Sequence, residues 1–235
     1  MSRSKTLYQL QQYDSGIDQA FKRIQAIESI LSDTKEFDNS LLKQAKHKIF
    51  LDEKQKFLKS AEHNVEIQNQ KIAQNQNKLY GGAITNPKDL EDLQLESTSL
   101  QKYLSVLEER QLEAMLDSDQ AQENYDRTSA LVTEISLKKQ TESEILSAEI
   151  SDLESKISSL QSDREAFLAS TEIPELPIYE NLRKASGGIA VTLLQNSSCS
   201  ACGSNIPSAI EQEARSPTKL SFCPACKRIL HPGSS

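Results

Sequence analysis

The 235-residue chain is 37% hydrophobic and 5% aromatic, lacks tryptophan, and carries a net charge of −7 from 27 Lys and Arg against 34 Asp and Glu. That is too little apolar matter for a large globular core, which argues against a compact enzyme. Most of the seven glycines and seven prolines gather mid-chain and beyond Pro174, and the stretches between them, rich in Gln, Glu, Lys, Leu and Ser, have the composition of long helices.

Met1-Ser-Arg-Ser-Lys-Thr6 leads into no apolar stretch of the signal-peptide kind, and no run approaches the ~18 apolar residues of a membrane span. A cytoplasmic location without membrane insertion is expected. In the first long stretch Leu7, Leu10, Ile17, Phe21, Ile24 and Leu31 follow three-and-four spacing, with Asp14 and Glu28 as polar interruptions. Leu58, Ala61, Val65, Ile72 and Leu79 resume the seam.

A stop and a start follow. Gly81 or Gly82, after Tyr80, can take the left-handed conformation that ends a helix. Asn86 suits an N-cap and Pro87 the first helical position, while Asp89 and Asp92 place negative charge at the positive end of the helix dipole. So short a connection, 80–87, implies a reversal. Leu79 should then face the region of Leu90, Val65 that of Leu104, and Leu7 that of Leu160.

The second stretch keeps one unbroken heptad seam: Leu93, Ser97, Leu100, Leu104, Leu107, Gln111, Ala114, Ser118, Ala121, Tyr125, Thr128, Val132 and Ile135. Leu146, Ile150, Leu153, Ile157, Leu160 and Phe167 continue it after a phase shift, a stutter. The expected fold is mainly α: a long antiparallel coiled-coil hairpin over 1–173, each arm about 110 to 125 Å long at 1.5 Å per residue. A small β zinc ribbon with a linker helix should occupy 174–235.

Pro174 and Pro177 should end the second arm and act as a stiff hinge. Ile178 to Ala185 can make a short helix, Ile189–Leu194 a strand leading to the first cysteine pair, and Lys219–Phe222 a strand leading to the second. The cysteines are the sharpest chemistry in the chain. Cys199-Ser-Ala-Cys202 and Cys223-Pro-Ala-Cys226 are two CxxC turns, which together supply four thiolates for one tetrahedral Zn2+. A shell closed by four thiolates leaves no position for substrate, so the ion should be structural. Two disulfides or a redox CxxC are the competing readings, and reducing cytoplasm disfavours the former. Gly203 follows the first pair where positive φ is usual, whereas Lys227 stands where a second glycine would sit more comfortably. His231 could substitute for a thiolate, but four cysteines already fill the shell.

The turn Asn77-Lys-Leu-Tyr-Gly-Gly82 with Thr85-Asn-Pro-Lys-Asp-Leu-Glu-Asp-Leu-Gln94, the run Cys202-Gly203 with Ile206-Pro207, and Cys223-Pro-x-Cys226-x-Arg228-Ile229-Leu230 carry a likeness. With these motifs the whole chain resembles the bacterial coiled-coil proteins that end in a four-cysteine zinc ribbon. That resemblance implies an elongated, non-enzymatic protein. It also implies the roles of some members, as chaperones or adaptors for the enhancer-dependent sigma factor and for flagellar or type III secretion components, with nucleic-acid binding proposed through the ribbon.

Charge bears on the partner. From Pro177 onward Arg183, Lys184, Arg215, Lys219, Lys227 and Arg228 outnumber Glu180, Glu211 and Glu213, leaving −10 for the hairpin. These basic residues are candidate contacts to nucleic acid or to a protein partner. The thiolate-rich centre offsets much of that excess, and no aromatic-rich stacking surface accompanies it beyond Phe222. No GxSxG, HExxH or phosphate-binding glycine loop is present. The reading is a cytoplasmic adaptor or chaperone that binds proteins through coil and ribbon and catalyses nothing. The alternative is a nucleic-acid-binding or RNA-polymerase-associated regulator that uses the ribbon, or Asp89 and Asp92 at the hairpin tip.

Overall fold

A computed structural model describes residues 2–233. In chain order it contains α1 (Arg3–Ser32), α2 (Lys35–Tyr80), α3 (Pro87–Ser170), α4 (Leu176–Ala185), β1 (Val191–Gln195), β2 (Ser198–Cys199), α5 (Ser208–Ala214) and β3 (Ile229–His231). The protein is a long helical hairpin with a small mixed sheet at its C-terminal end. The chain forms two compact units, one of Met1–Ser32 with Glu142–Ser235 and one of Asp33–Thr141.

In the unit 33–141, α2 and α3 run antiparallel through the 81–86 turn. Gly82 takes φ +72°, Gly81 stays right-handed, and the Asn86 side chain accepts from Lys88 N at 3.2 Å. Asn86 therefore caps α3 as expected, with Pro87 at the position where a missing N–H costs nothing. The seam from Leu93 to Ile135 is the shielded face of α3 throughout, with Leu107, Ala114, Ser118 and Ala121 buried. Polar residues in it bond across the pair. Gln68 Nε2 donates to Leu100 O at 2.9 Å, Asn75 Nδ2 to Glu96 Oε2 at 2.9 Å, and Gln44 Nε2 to Ser129 Oγ at 3.1 Å. Such bonds fix register, because a one-turn slip would leave a buried amide unpaired. His47 is half-buried in the seam, its Nδ1 3.1 Å from the carbonyl of Asn124, rather than a surface residue.

The first arm is two helices. It breaks at Asp33-Thr34 without glycine or proline: Asp33 Oδ1 accepts from Lys35 N, and Thr34 Oγ1 donates to Asp38 Oδ2. Short polar side chains here compete for the bonds a continuous helix would make. The α1 seam also differs from expectation. Ala20 and Ile27 are buried, whereas Phe21 is half exposed and Glu28 faces solvent. The steps after Ile17 run 3, 4, 3, 4 through Ala20, Ile24, Ile27 and Leu31.

In the unit that holds both chain ends, Leu7 packs into a cluster with Phe167 and Leu168, and Leu160 lies instead against Gly16. The interruption at 33–34 spoils a one-for-one count from the turn. A Cβ on Gly16 would stand 2.9 Å from Leu160 Cδ1, so this mid-helix glycine is a close-approach site. Gly16→Val should cost about 1 to 3 kcal/mol through overpacking despite valine's better helix propensity. Denaturant midpoints of the variant against wild type, with Gly16→Ala smaller in effect, check this.

Leu7, Leu10, Tyr179, Ala190, Val191 and Ile229 form the main core of this unit, and Leu194, Cys199, Ile206, Ala214, Cys223 and Leu230 a second. The sheet order is β2-β1-β3. β1 pairs antiparallel with β2 through Leu194 and Cys199, and parallel with β3 through Val191 and Ile229. The strand expected at Lys219–Phe222 is reduced to a single bridge from Phe222 to Ile229, and the ordered strand follows the second cysteine pair instead. Leu176 N donates to Ile173 O, Glu175 pairs with Arg3, and Pro177 sits in the first turn of α4. Gln11 closes the assembly: its Oε1 accepts from Ala190 N at 2.7 Å and Val191 N at 2.6 Å, and its Nε2 donates to Val191 O at 2.7 Å.

Candidate metal centre

Each cysteine pair sits on a tight turn closed by its own backbone. Gly203 N donates to Cys199 O at 2.8 Å and Cys199 N to Ser204 O at 3.0 Å. Lys227 N donates to Cys223 O at 2.9 Å and Cys223 N to Arg228 O at 2.8 Å. The fifth residue of each turn is left-handed, Gly203 at φ +72° and Lys227 at φ +63°. Lysine pays a steric cost there that glycine does not.

The two turns bring all four sulfurs within 4.8 Å of one another. Cys199 Sγ is 3.7 Å from Cys226 Sγ, and Cys202 Sγ 3.7 Å from Cys223 Sγ, too far for disulfides. All four thiols are free, and the cluster can hold a metal ion. Cys199 and Cys223 are buried, Cys226 is partly so, and Cys202 is exposed. Burial pushes the Cys223 thiol up to about 11. The hydroxyl and backbone of Ser204 bring Cys202 down to about 6. At Cys226 burial pushes up, but hydrogen bonds from Arg228 and its neighbours outweigh it and the thiol is lowered. Around the sulfurs, Ser204 Oγ lies 3.4 Å from Cys202 Sγ and Thr192 Oγ1 3.7 Å from Cys199 Sγ, with Ser200 Oγ 2.8 Å from Thr192 Oγ1. These hydroxyls orient the ligands. His231 is engaged elsewhere, its ring 5.1 Å from that of Tyr8 and its Nδ1 3.3 Å from Ser4 Oγ.

The basic candidates divide into bonded arginines and exposed lysines. Arg183 donates to Asp18 Oδ2 at 2.6 Å and to Asp14 O at 3.1 Å, Arg228 to Ile189 O and Ser186 O at 2.9 Å each, and Arg215 to Glu211 at 3.0 Å. Lys184, Lys219 and Lys227 are exposed. At the hairpin tip Tyr80 is 81% exposed, and Asp89 and Asp92 face solvent beside it.

A network that periodicity disguised lies in the unit of the two ends. Asp14, buried, accepts from Arg164 Nε at 2.7 Å and from Tyr179 OH at 2.6 Å. Its place in the seam made it look like a polar interruption, and only the fold brings Tyr179 to it. Burial, then the Asp14 hydrogen bond, raises the Tyr179 phenol well above its ordinary value of 10.0. Below about pH 10 the phenol is neutral folded or unfolded; above it the unfolded chain sheds the proton first. Stability is therefore full below about pH 10 and falls as pH rises. Thermal unfolding from pH 8 to 11 should show a steeper loss in wild type than in Tyr179→Phe, which cancels the lysine contribution common to both.

A long helical hairpin together with a four-cysteine cluster able to hold a metal ion defines the class of protein. Residues 10–187 match the CT398-like coiled coil hairpin domain, and the chain belongs to that family. Solved structures of similar fold include CT398 from Chlamydia trachomatis, 17% identical, with a TM-score of 0.68 over 98% of each chain. A protein from Mycobacterium smegmatis is 19% identical, with a TM-score of 0.63 over 98% of this chain and 99% of that one. The HP0958 protein from Helicobacter pylori is 17% identical, with a TM-score of 0.50 over 99% of this chain and 98% of that one. Among curated proteins none matches. No described helix is long and apolar enough to cross a membrane.

Proposed function

We propose that this chain is a non-enzymatic adaptor or chaperone that binds proteins through its coiled coil and a zinc-loaded ribbon. The observation that carries the reading is the pairing of a closed four-sulfur cluster with long helical arms that keep large apolar residues in solvent. A closed shell supplies rigidity and no substrate position, and exposed helical ridges are what partner helices recognise. Zinc fits the donor set. Four sulfurs about 2.3 Å from a tetrahedral ion stand about 3.8 Å apart, against 3.7 Å for two pairs here. Metal analysis under reducing conditions should give one zinc per chain. The family resemblance makes a sigma factor or a flagellar or secretion component the proposed partner class, with the cytoplasm as the site of action.

Nucleic-acid binding is the second reading, favoured by the exposure of Lys184, Lys219 and Lys227 and of the aromatic Phe222. It ranks second because the three arginines of that region serve internal partners. Affinity capture with the full-length protein, before and after nuclease, tests both. Reproducible protein partners that survive nuclease support the adaptor, whereas RNA or DNA without such partners supports the alternative.

A further inference from the structure

Leu42, Ile49, Phe50 and Phe57 of α2 are large and apolar, yet 61, 61, 47 and 59% exposed. Their spacing of i, i+7, i+8 and i+15 places all four within an arc of about 100° on a helix of 3.6 residues per turn. The arc lies opposite the side that carries Gln44 and His47, which bond to α3, and buried Leu51. α2 thus has a second apolar face beyond its seam. Charge sets the character of that face. Lys46 lies within the arc beside one acid, Glu53, and Lys43 and Lys56 flank its two edges about 20° outside it. Over residues 42–59 six lysines stand against two acids in a chain of net −7, and of the six Lys48 and Lys54 pair with Asp52 and Asp117.

We propose that this face docks an acidic amphipathic helix of a partner protein. The proposal rests on the adaptor reading and names the chemistry of its partner. An incoming helix with apolar residues at i, i+3 or i+4, and i+7 would cover the four side chains, and its flanking carboxylates would meet the lysines. A second copy docking through the same face would set lysines against lysines. A bilayer fits poorly as well, because the apolar arc is narrow and Glu53 stands within it.

The test uses full-length, metal-loaded protein and a fluorescein-labelled 18-residue peptide with heptad-spaced leucines flanked by glutamates. A lysine-flanked counterpart, a scrambled acidic peptide and phosphatidylglycerol vesicles serve as comparisons. The glutamate peptide should bind at least tenfold more tightly than the other two peptides. Ile49→Gln with Phe57→Gln should lose at least tenfold at unchanged helical content, since glutamine is a good helix former. Lys46→Glu with Lys56→Glu should shift preference to the lysine peptide. Equal binding of all peptides, undiminished binding by the glutamine pair, a preference for vesicles over peptide, or self-association of wild type lost in the glutamine pair would each overturn the proposal. If the glutamine pair still captures the cellular proteins that wild type captures, this surface is wrong while the adaptor reading stands. Peptide binding as expected with no cellular protein captured by wild type supports the surface and overturns the adaptor.

Discussion

Replacing Cys223 by serine should abolish metal retention and unfold residues 190–231 while the arm pair 33–141 stays helical. Cys199 and Cys223 belong to the ribbon's core, whose other buried members among the described residues are Leu194, Ile206, Ala214 and Leu230, with Ile210 and Cys226 packed against them. So few apolar side chains cannot hold two knuckles closed alone. In small structural sites metal binding supplies about 10 to 16 kcal/mol of apparent free energy, and that binding is the folding free energy. The loss should extend beyond the ribbon, because Leu7, Leu10 and Gln11 of α1 rest on β1 and β3. Hydrogen exchange should show protection vanishing at Ala190, Val191 and Ile229, weakening in the first turns of α1, and persisting from Leu51 to Ala121. Retained protection at 190–231 after chelation would show that packing, not metal, closes the ribbon.

The second large effect is expected at Asp14. Asp14→Ala leaves the Arg164 guanidinium and the Tyr179 hydroxyl without their shared acceptor and removes the carboxylate 3.7 Å from Arg183 Nε, while Arg183 keeps its bond to Asp18. Removing one partner of a buried pair costs roughly 3 to 5 kcal/mol. Both arginines are about a quarter exposed, so solvent screening puts the loss near the lower figure, about 3 kcal/mol. That corresponds to roughly a hundredfold faster exchange of α4 and β1 amides if they open with this unit. Asp14→Asn keeps an acceptor for Tyr179 and should fall between wild type and Asp14→Ala. Equal loss in both variants would mean that the charge contributes nothing beyond the hydrogen bond.

What the sequence announced, and what it hid, follow from the range of the forces involved. The α3 seam was legible because thirteen positions repeat without a break, and heptad spacing is a local property. The metal cluster was legible because two CxxC turns admit few other chemistries. Phe21 was misplaced because an aromatic looks like a better knob than Ala20, yet the small residue allows the closer approach. Nothing local marked the break at Asp33-Thr34, where side-chain bonds replace helical ones without a glycine or proline. β3 is three residues long and owes its existence to parallel pairing with β1, so no alternation could show it. Asp14, Gln11 and Arg228 act on groups 150 to 169, 179 to 180, and 39 to 42 residues away respectively. Their roles exist only in the folded chain.

The Gln11 amide bridge also sets a timetable for synthesis. α1 is made first, but the strand it must clasp comes about 180 residues later. At about 5 to 20 residues per second, Leu7 and Leu10 wait roughly 10 to 40 seconds for their cover. Through that interval the arm pair 33–141, built from neighbours in sequence, can already close, so the unit that joins α1 to the sheet matures after it and stays open longer to capture by chaperones on the ribosome.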